Sequence, residues 1–213
     1  MKNYGLGRRP SVDARDQNHL MAAALGPAIV RPTKKSWALV WRGDQKQTSM
    51  CVGFGWHGLL RAKPHLQREP LPAVIYEQAQ ANDEFTDTPP AGGSSVRGGA
   101  KALKNDGKIT AYAWAFEIET VLNWIGLHGP VVFGTTWYAD MFEPGKNGIL
   151  NVSGAIAGGH CYVAIGYDDK KKLLTCQNSW GTSWGIKGRF YLRYEDADKL
   201  IKESGGEACT ATE

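Results

Sequence analysis

Only four cysteines occur in the 213 residues, Cys51, Cys161, Cys176 and Cys209, and no two of them form a CxxC pair. That scarcity leaves a zinc site or a disulfide framework without a pattern to stand on, and free thiols in a reducing compartment are expected. No apolar run approaches the roughly 20 residues needed to span a bilayer. The basic start MKNYGLGRRP lacks an apolar h-region, so neither a membrane role nor a secretory signal is expected, and a cytoplasmic setting follows as an expectation. Concentrated positive charge is also missing. The net charge is +4, but Lys and Arg are scattered among acids, and the longest run, Lys170-Lys171-Lys172, follows two aspartates as a hairpin tip would. A nucleic-acid partner is therefore not expected. Repeats and low-complexity tracts are absent too.

What remains is an ordinary globular composition long enough for one domain, 1–213, or two small lobes sharing a core. The first half carries helical spacing. DQNHLMAAALG predicts a short helix ended by Gly26-Pro27, and CVGFGWHGLLRA places Val52, Trp56, Leu59 and Leu60 at i, i+4, i+7 and i+8. The three glycines in that helix cost about 1 kcal/mol each against alanine, so something must pack closely against it. PLPAVIYEQAQAND, GGAKALKNDG and FEIETVLNWIGLHG read as further helices, and FTDTPPAGGSSVRGG as a loop. SWALVW reads as a strand. After Gly129-Pro130 the pattern becomes strands: VVFGTTWYA, GHCYVAIGY, KLLTCQNSW and GRFYLRY. The helix EDADKLIKESG and a polar tail holding Cys209 follow. The class is α+β, with a helical lobe over 44–127 and a β-rich lobe over 128–213 joined by the N-terminal segment 10–43.

Chemistry concentrates in HCYVAIGYDDKKKLLTCQNSWG. If the two arms form a hairpin symmetric about Asp169, His160 lies opposite Asn178 on one face. An asparagine oxygen fixing one imidazole nitrogen leaves the other free to move a proton, although a satisfied core histidine beside a turn asparagine would look the same. The nucleophile that fits is Cys51 at a helix start, where free N–H groups favour a thiolate. Gln45, on the preceding loop, can aim its amide at the same helix end, so that it and the Cys51 N–H form an oxyanion hole. Cys161 points away from His160 along its strand. Cys176 shares the face of Asn178 and is expected to be buried. His57, about 240° around the helix from Cys51, faces elsewhere.

Gln45-x5-Cys51, Gly159-His160 and Asn178-Ser179-Trp180-Gly181 together resemble the papain-like cysteine peptidases, over most of the chain. The resemblance implies a helical left lobe, a β-barrel-like right lobe and a cleft between them. It implies that Cys51 attacks a carbonyl, His160 serves as base and then acid, Asn178 orients it and Gln45 holds the oxyanion, with no metal or cofactor. Trp180 would shield the His160–Asn178 bond, with Trp184 behind it. Gly92-Gly93, Gly134, Gly159 and Cys161 match substrate-binding positions. The lack of charge at 134 and 161 suggests an apolar side chain in the main specificity pocket, and Gly92-Gly93 reads equally as a turn. The chain departs from the family at TSMCV, where CGSCW is usual. His160 also follows Cys51 by fewer residues than the family's roughly 130–150, as in compact bacterial and bacteriophage members. Too few residues precede Gln45 for the usual inhibitory pro-region, so restraint by a separate protein inhibitor is expected. The expected partner is a polypeptide substrate. Isopeptide or peptidoglycan cross-bridge hydrolysis with the same chemistry, and a non-catalytic binding or virion scaffold, stand as alternatives.

Overall fold

Alternation along the strands decides the architecture. The computed structural model describes residues 4–11, 13–26, 30–85 and 92–212. In it a largely antiparallel sheet has the order β2-β7-β3-β4-β5-β6, with β1 paired to β4 outside that path. The strands are β1 (Lys34–Ser36), β2 (Ala111–Ala115), β3 (Val131–Tyr138), β4 (Ile156–Asp168), β5 (Leu173–Gln177), β6 (Arg189–Arg193) and β7 (Glu207–Thr212). Successive side chains point to opposite faces. Val132, Cys161, Val163 and Ile165 therefore meet Trp56, Leu59 and Leu103 on one side. On the other side Phe133, Tyr162 and Ala164 meet Ile125, Leu200 and an aromatic group around Trp137 and Trp180.

The helices are α1 (Met21–Ala24), α2 (Cys51–Arg61), α3 (Pro72–Asn82), α4 (Val96–Asn105), α5 (Ile118–Leu127) and α6 (Tyr194–Lys202). The layer against the first face is α2, α3 and α4. Helix α4 begins inside the stretch expected to be loop, because the Ser95 hydroxyl caps it by accepting the Gly98 N–H at 2.8 Å. Glycines in α2 provide the close approach that their cost required. A Cβ at Gly55 would stand 2.6 Å from Cys161 Sγ, and one at Gly58 2.9 Å from Val163. The helix consequently lies directly on β4, with Cys51 at its first turn.

Several expectations change. The expected helix at 16–26 is a 3₁₀ turn, Ala14–Asn18, followed by the single turn of α1; Pro27 lies outside the described residues. SWALVW contributes only Ser36 to β1. Strand β2 and helix α5, placed with the helical half by sequence, belong with the sheet: β2 pairs with β7, and α5 supplies Val121, Leu122 and Ile125 to the aromatic-side core. The polar tail is strand β7, running between β2 and β3, with Cys209 fully buried. Its alternating small residues, EACTAT, carry too little hydrophobic signal to announce a strand.

Candidate active site

The β4–β5 hairpin is not symmetric about Asp169. Val163 pairs with Gln177 and Asp168 with Leu173, with a bulge between Ala164 and Gly166. Extended towards the site, that register sets His160 level with residue 180, so Asn178 is its diagonal neighbour rather than its direct opposite. Diagonal neighbours still share a face. His160 Nε2 lies 2.8 Å from Asn178 Oδ1. The Ser179 backbone N–H also donates to Oδ1 at 2.8 Å, which identifies that atom as the oxygen. Nε2 is therefore the protonated nitrogen, and Nδ1 carries the lone pair. Nδ1 is buried and has no hydrogen-bond partner among the described residues.

Aromatic rings enclose the imidazole. Trp180 stacks on it with centroids 4.6 Å apart, Trp137 meets it edge-on at 4.8 Å, and Trp184 stands edge-on to Trp180 at 5.0 Å. Trp137 was not singled out by sequence, because an apolar residue on a strand gives no sign of which side chain it will face.

Cys51 opens α2 with no side-chain cap at Met50, and the backbone amides of Cys161, Gly7 and Val52 lie close enough to its sulfur to favour the thiolate. The thiol thus sits beside the residue that follows His160, although no hydrogen bond joins it to Nδ1. Gln45 is held from two directions. Its N–H donates to the Ser179 carbonyl at 2.7 Å, and its Oε1 accepts the Ser179 hydroxyl at 2.6 Å. This leaves the side-chain amide to donate to Thr48 O and, at 3.1 Å, to Gly5 O. Ser179 was read only as part of a motif, yet it couples Gln45 to Asn178. His57 lies apart, its Nδ1–H donating to Pro70 O at 2.9 Å, and Cys176 is buried in the aromatic-side core.

The N-terminal segment fills the cleft. Tyr4 stacks on Trp180 at 4.6 Å, and the Trp180 indole N–H donates to Gly5 O at 3.2 Å. The Gly7 and Arg8 N–H groups donate to Gly159 O, Ser94 donates to Gly7 O, and Arg9 donates to Ser94 O. Glycine is needed where the segment crosses the loop before Cys51: a Cβ at Gly5 would lie 2.0 Å from Thr48 O, and one at Gly7 2.1 Å from Ser49 O. The residues matched to substrate binding all border this segment or its pocket. Gly159 faces Arg8 O, Gly134 faces the Arg8 guanidinium, and Cys161 lies beneath. Gly92 and Gly93 form a left-handed turn, φ 70° and 117°. The Gly93 amide is taken by the Tyr76 hydroxyl, so the ladder to the segment is made by Ser94 instead.

Burial governs the electrostatics of this closed cleft. Loss of solvent pushes the Cys51 thiol up to about 12, opposed by the three amides and by Arg8. It pulls His160 down to about 4, with the Asn178 hydrogen bond opposing. The proton therefore stays on sulfur by several powers of ten. All four cysteines are free thiols, and the described residues contain no cluster of three or more metal-ligating groups. No helix among them is long and apolar enough to cross a membrane.

Comparison with known proteins gives this geometry a lineage. Residues 81–209 match the model of the family described as "Papain family cysteine protease"; the match contains His160 and Asn178, and Cys51 precedes it. Xylellain, a cysteine protease from Xylella fastidiosa, superposes with a TM-score of 0.73 over 100% of this chain and 98% of that one; at 18% identity the likeness concerns the fold. An uncharacterised peptidase C1-like protein of Acanthamoeba polyphaga mimivirus is 32% identical over 31% of this chain and 23% of its own length. Cathepsin B of Dictyostelium discoideum is 26% identical over 64% of this chain and 46% of its own. The matched stretches thus span less than half the length of these curated relatives. More than half of the chain matches the family model, and the chain belongs to the papain family of cysteine proteases.

Proposed function

We propose that this chain is a cysteine peptidase captured with its N-terminal segment across the cleft. The observation that carries the reading is the state of His160: Nε2–H is fixed by Asn178, and the Nδ1 lone pair is left unpartnered on β4, the strand against which α2, opened by Cys51, packs. In turnover the Cys51 thiol gives its proton to Nδ1 and the sulfur adds to a peptide carbonyl. The oxyanion takes hydrogen bonds from the Gln45 amide and the Cys51 N–H. The imidazolium then protonates the leaving amine as the C–N bond breaks. Water, deprotonated by Nδ1, hydrolyses the thioester and restores the thiol.

The segment occupies this machinery with its Gly7 and Arg8 N–H groups bound to Gly159 O, next to His160. Withdrawing it admits water and removes the desolvation that suppresses both charged forms, so the thiolate–imidazolium pair becomes accessible.

Arg8→Ala frees the segment for the test. In that variant an epoxysuccinyl inhibitor is expected to label Cys51 rapidly and a denatured protein substrate to be hydrolysed. The unmodified chain reacts slowly, and Cys51→Ala not at all. Labelling that persists in Cys51→Ala, or that spreads evenly over the four cysteines, contradicts the assignment.

A further inference from the structure

Two sulfurs meet where α2 rests on β4. Cys161 takes no part in the chemistry above, yet its backbone N–H is one of the amides close to the Cys51 sulfur. Its side chain lies on the helix-facing side of the sheet, in the same core cluster as Cys51, and both residues are fully buried. A Cβ at Gly55 would stand 2.6 Å from Cys161 Sγ. Gly55 is one helical turn on from Cys51, on the same face, where neighbouring Cβ atoms are about 5–6 Å apart. The Cys161 sulfur therefore lies against the turn of α2 that carries Cys51, and Gly55 puts no side chain between them.

Position and reactivity set this pair apart from the other thiols. Cys176 belongs to the core on the opposite face of the sheet, and Cys209 is on β7, separated from β4 by β3. Neither can stand in for Cys161 beside Cys51. A disulfide needs Cα atoms about 4.4–6.8 Å apart, and a contact from the sulfur of one residue to the backbone amide of the other is a separation on that scale. The helix start and the nearby amides favour a thiolate on Cys51. Burial pushes the Cys161 thiol well above its usual range, and the neighbouring Cys51 pushes it further, so Cys161 stays protonated. One sulfur is thus set to react first, and the other to follow once the charge on the first is gone.

We propose that Cys161 is the resolving thiol of Cys51: hydrogen peroxide oxidises Cys51, and Cys161 converts the product to a reversible Cys51–Cys161 disulfide. With the segment withdrawn, the Cys51 thiolate attacks one peroxide oxygen and the O–O bond breaks. The departing hydroxide takes the proton of the His160 imidazolium and leaves as water. Cys51 is then a neutral sulfenic acid, which no longer opposes ionisation of its neighbour. The Cys161 sulfur attacks the Cys51 sulfur, the S–O bond breaks, and hydroxide leaves as water with the Cys161 proton. Two thiols lose two electrons, and one peroxide gains them and yields two waters. A dithiol reductant reverses the link, whereas without Cys161 a second peroxide carries Cys51 on to sulfinic acid, which thiols do not reduce. From the peptidase reading this takes only the reactivity of Cys51.

The test follows the link itself rather than turnover. Arg8 pins the segment over the pair, its Nε donating to Glu207 Oε2 at 2.9 Å, so Arg8→Ala is used to admit the oxidant. That chain is treated with hydrogen peroxide in slight excess, its remaining thiols are alkylated, and a non-reducing digest is read by mass spectrometry. A peptide joining Cys51 to Cys161 within one chain is expected, with the loss of two hydrogens, and dithiothreitol should remove it. Labelling of Cys51 by the epoxysuccinyl inhibitor should be lost as the link forms and return on reduction. In Arg8→Ala, Cys161→Ala the same dose should cause a loss of labelling that dithiothreitol does not restore, with Cys51 found as sulfinic acid. Full recovery in that variant overturns the proposal. So does a link from Cys51 to another cysteine or to a second chain, or a Cys51 that stays unreacted or reaches sulfinic acid unlinked in Arg8→Ala. The link in Arg8→Ala is read even if Cys161→Ala fails to fold. A link without hydrolysis of a denatured protein substrate would sink the peptidase reading and keep the pair, and hydrolysis without the link would do the reverse.

Discussion

Asn178 Oδ1 accepts from two donors, His160 Nε2 and the Ser179 amide, and so sets both the tautomer and the tilt of the ring. Replacing Asn178 by alanine leaves Trp180 and Trp137 to hold the imidazole by packing alone, with no group to hold the proton on Nε2. In an Arg8→Ala background the rate of Cys51 labelling is expected to fall by about 10- to 100-fold, the scale of a small misplacement of a reacting group. Labelling at an unchanged rate would show that the ring's orientation comes from the aromatic cage. The functional residues legible in sequence were those whose chemistry is local: a histidine and an asparagine on one hairpin, and a cysteine at a helix start with a glutamine shortly before it. Glu207 and Arg8 were not legible, because their meaning depends on a contact between the two ends of the chain. The assumption of a turn symmetric about Asp169 also failed: the hairpin closes between Asp168 and Leu173, which centres it between Lys170 and Lys171, and no residue of that charged run marks the centre.

Helix α2 shows how an element converts a cost into position. Alanine at Gly55 would gain about 1 kcal/mol of helix propensity. Yet its Cβ would sit 2.6 Å from Cys161 Sγ, with the next neighbour, Val132, at 3.6 Å. The clash dominates in a packed interior, where overpacking costs about 1–3 kcal/mol. Gly55→Ala is therefore expected to destabilise the chain by about 1–2 kcal/mol in chemical denaturation. In a Cys161→Ala background, with the sulfur gone, the same change should be neutral or stabilising. Independent, additive effects of the two substitutions would mean that α2 does not rest on β4 at this point. The helical period around Trp56 and Leu59 made this helix readable from sequence, and its glycines foretold a close neighbour. Which strand that neighbour would be followed only from the sheet order, as did the place of β7, whose small residues hide it.

At the scale of the molecule, one carboxylate ties the first residues described to the last strand, and its protonation is linked to folding. Glu207 faces Arg8 from the cleft segment, Arg97 from α4 and Asp16 from the 3₁₀ turn, with Cys209 two residues along its own strand; burial outweighs the two arginines and raises its carboxyl to about 7. The native chain therefore holds a proton that the unfolded chain has already lost between about pH 4.5 and about 7. The contribution of this group to stability is fully present below the unfolded value and declines as pH rises through that window, by about 1.4 kcal/mol per unit. Glu207→Gln has no such proton to lose. Measured by urea unfolding in parallel, the variant's stability relative to the parent should rise from pH 4.5 to 7 and level off above. His160, depressed to about 4 by burial, works with the opposite sign in both proteins, favouring the fold at higher pH, and so cancels from the difference. If the arginines dominated instead, the carboxyl would titrate below its unfolded value, and the variant would gain on the parent only as pH fell below about 4.5. A relative stability that stays flat from 4.5 to 7 would thus show that Arg8 and Arg97, rather than burial, set the charge on Glu207.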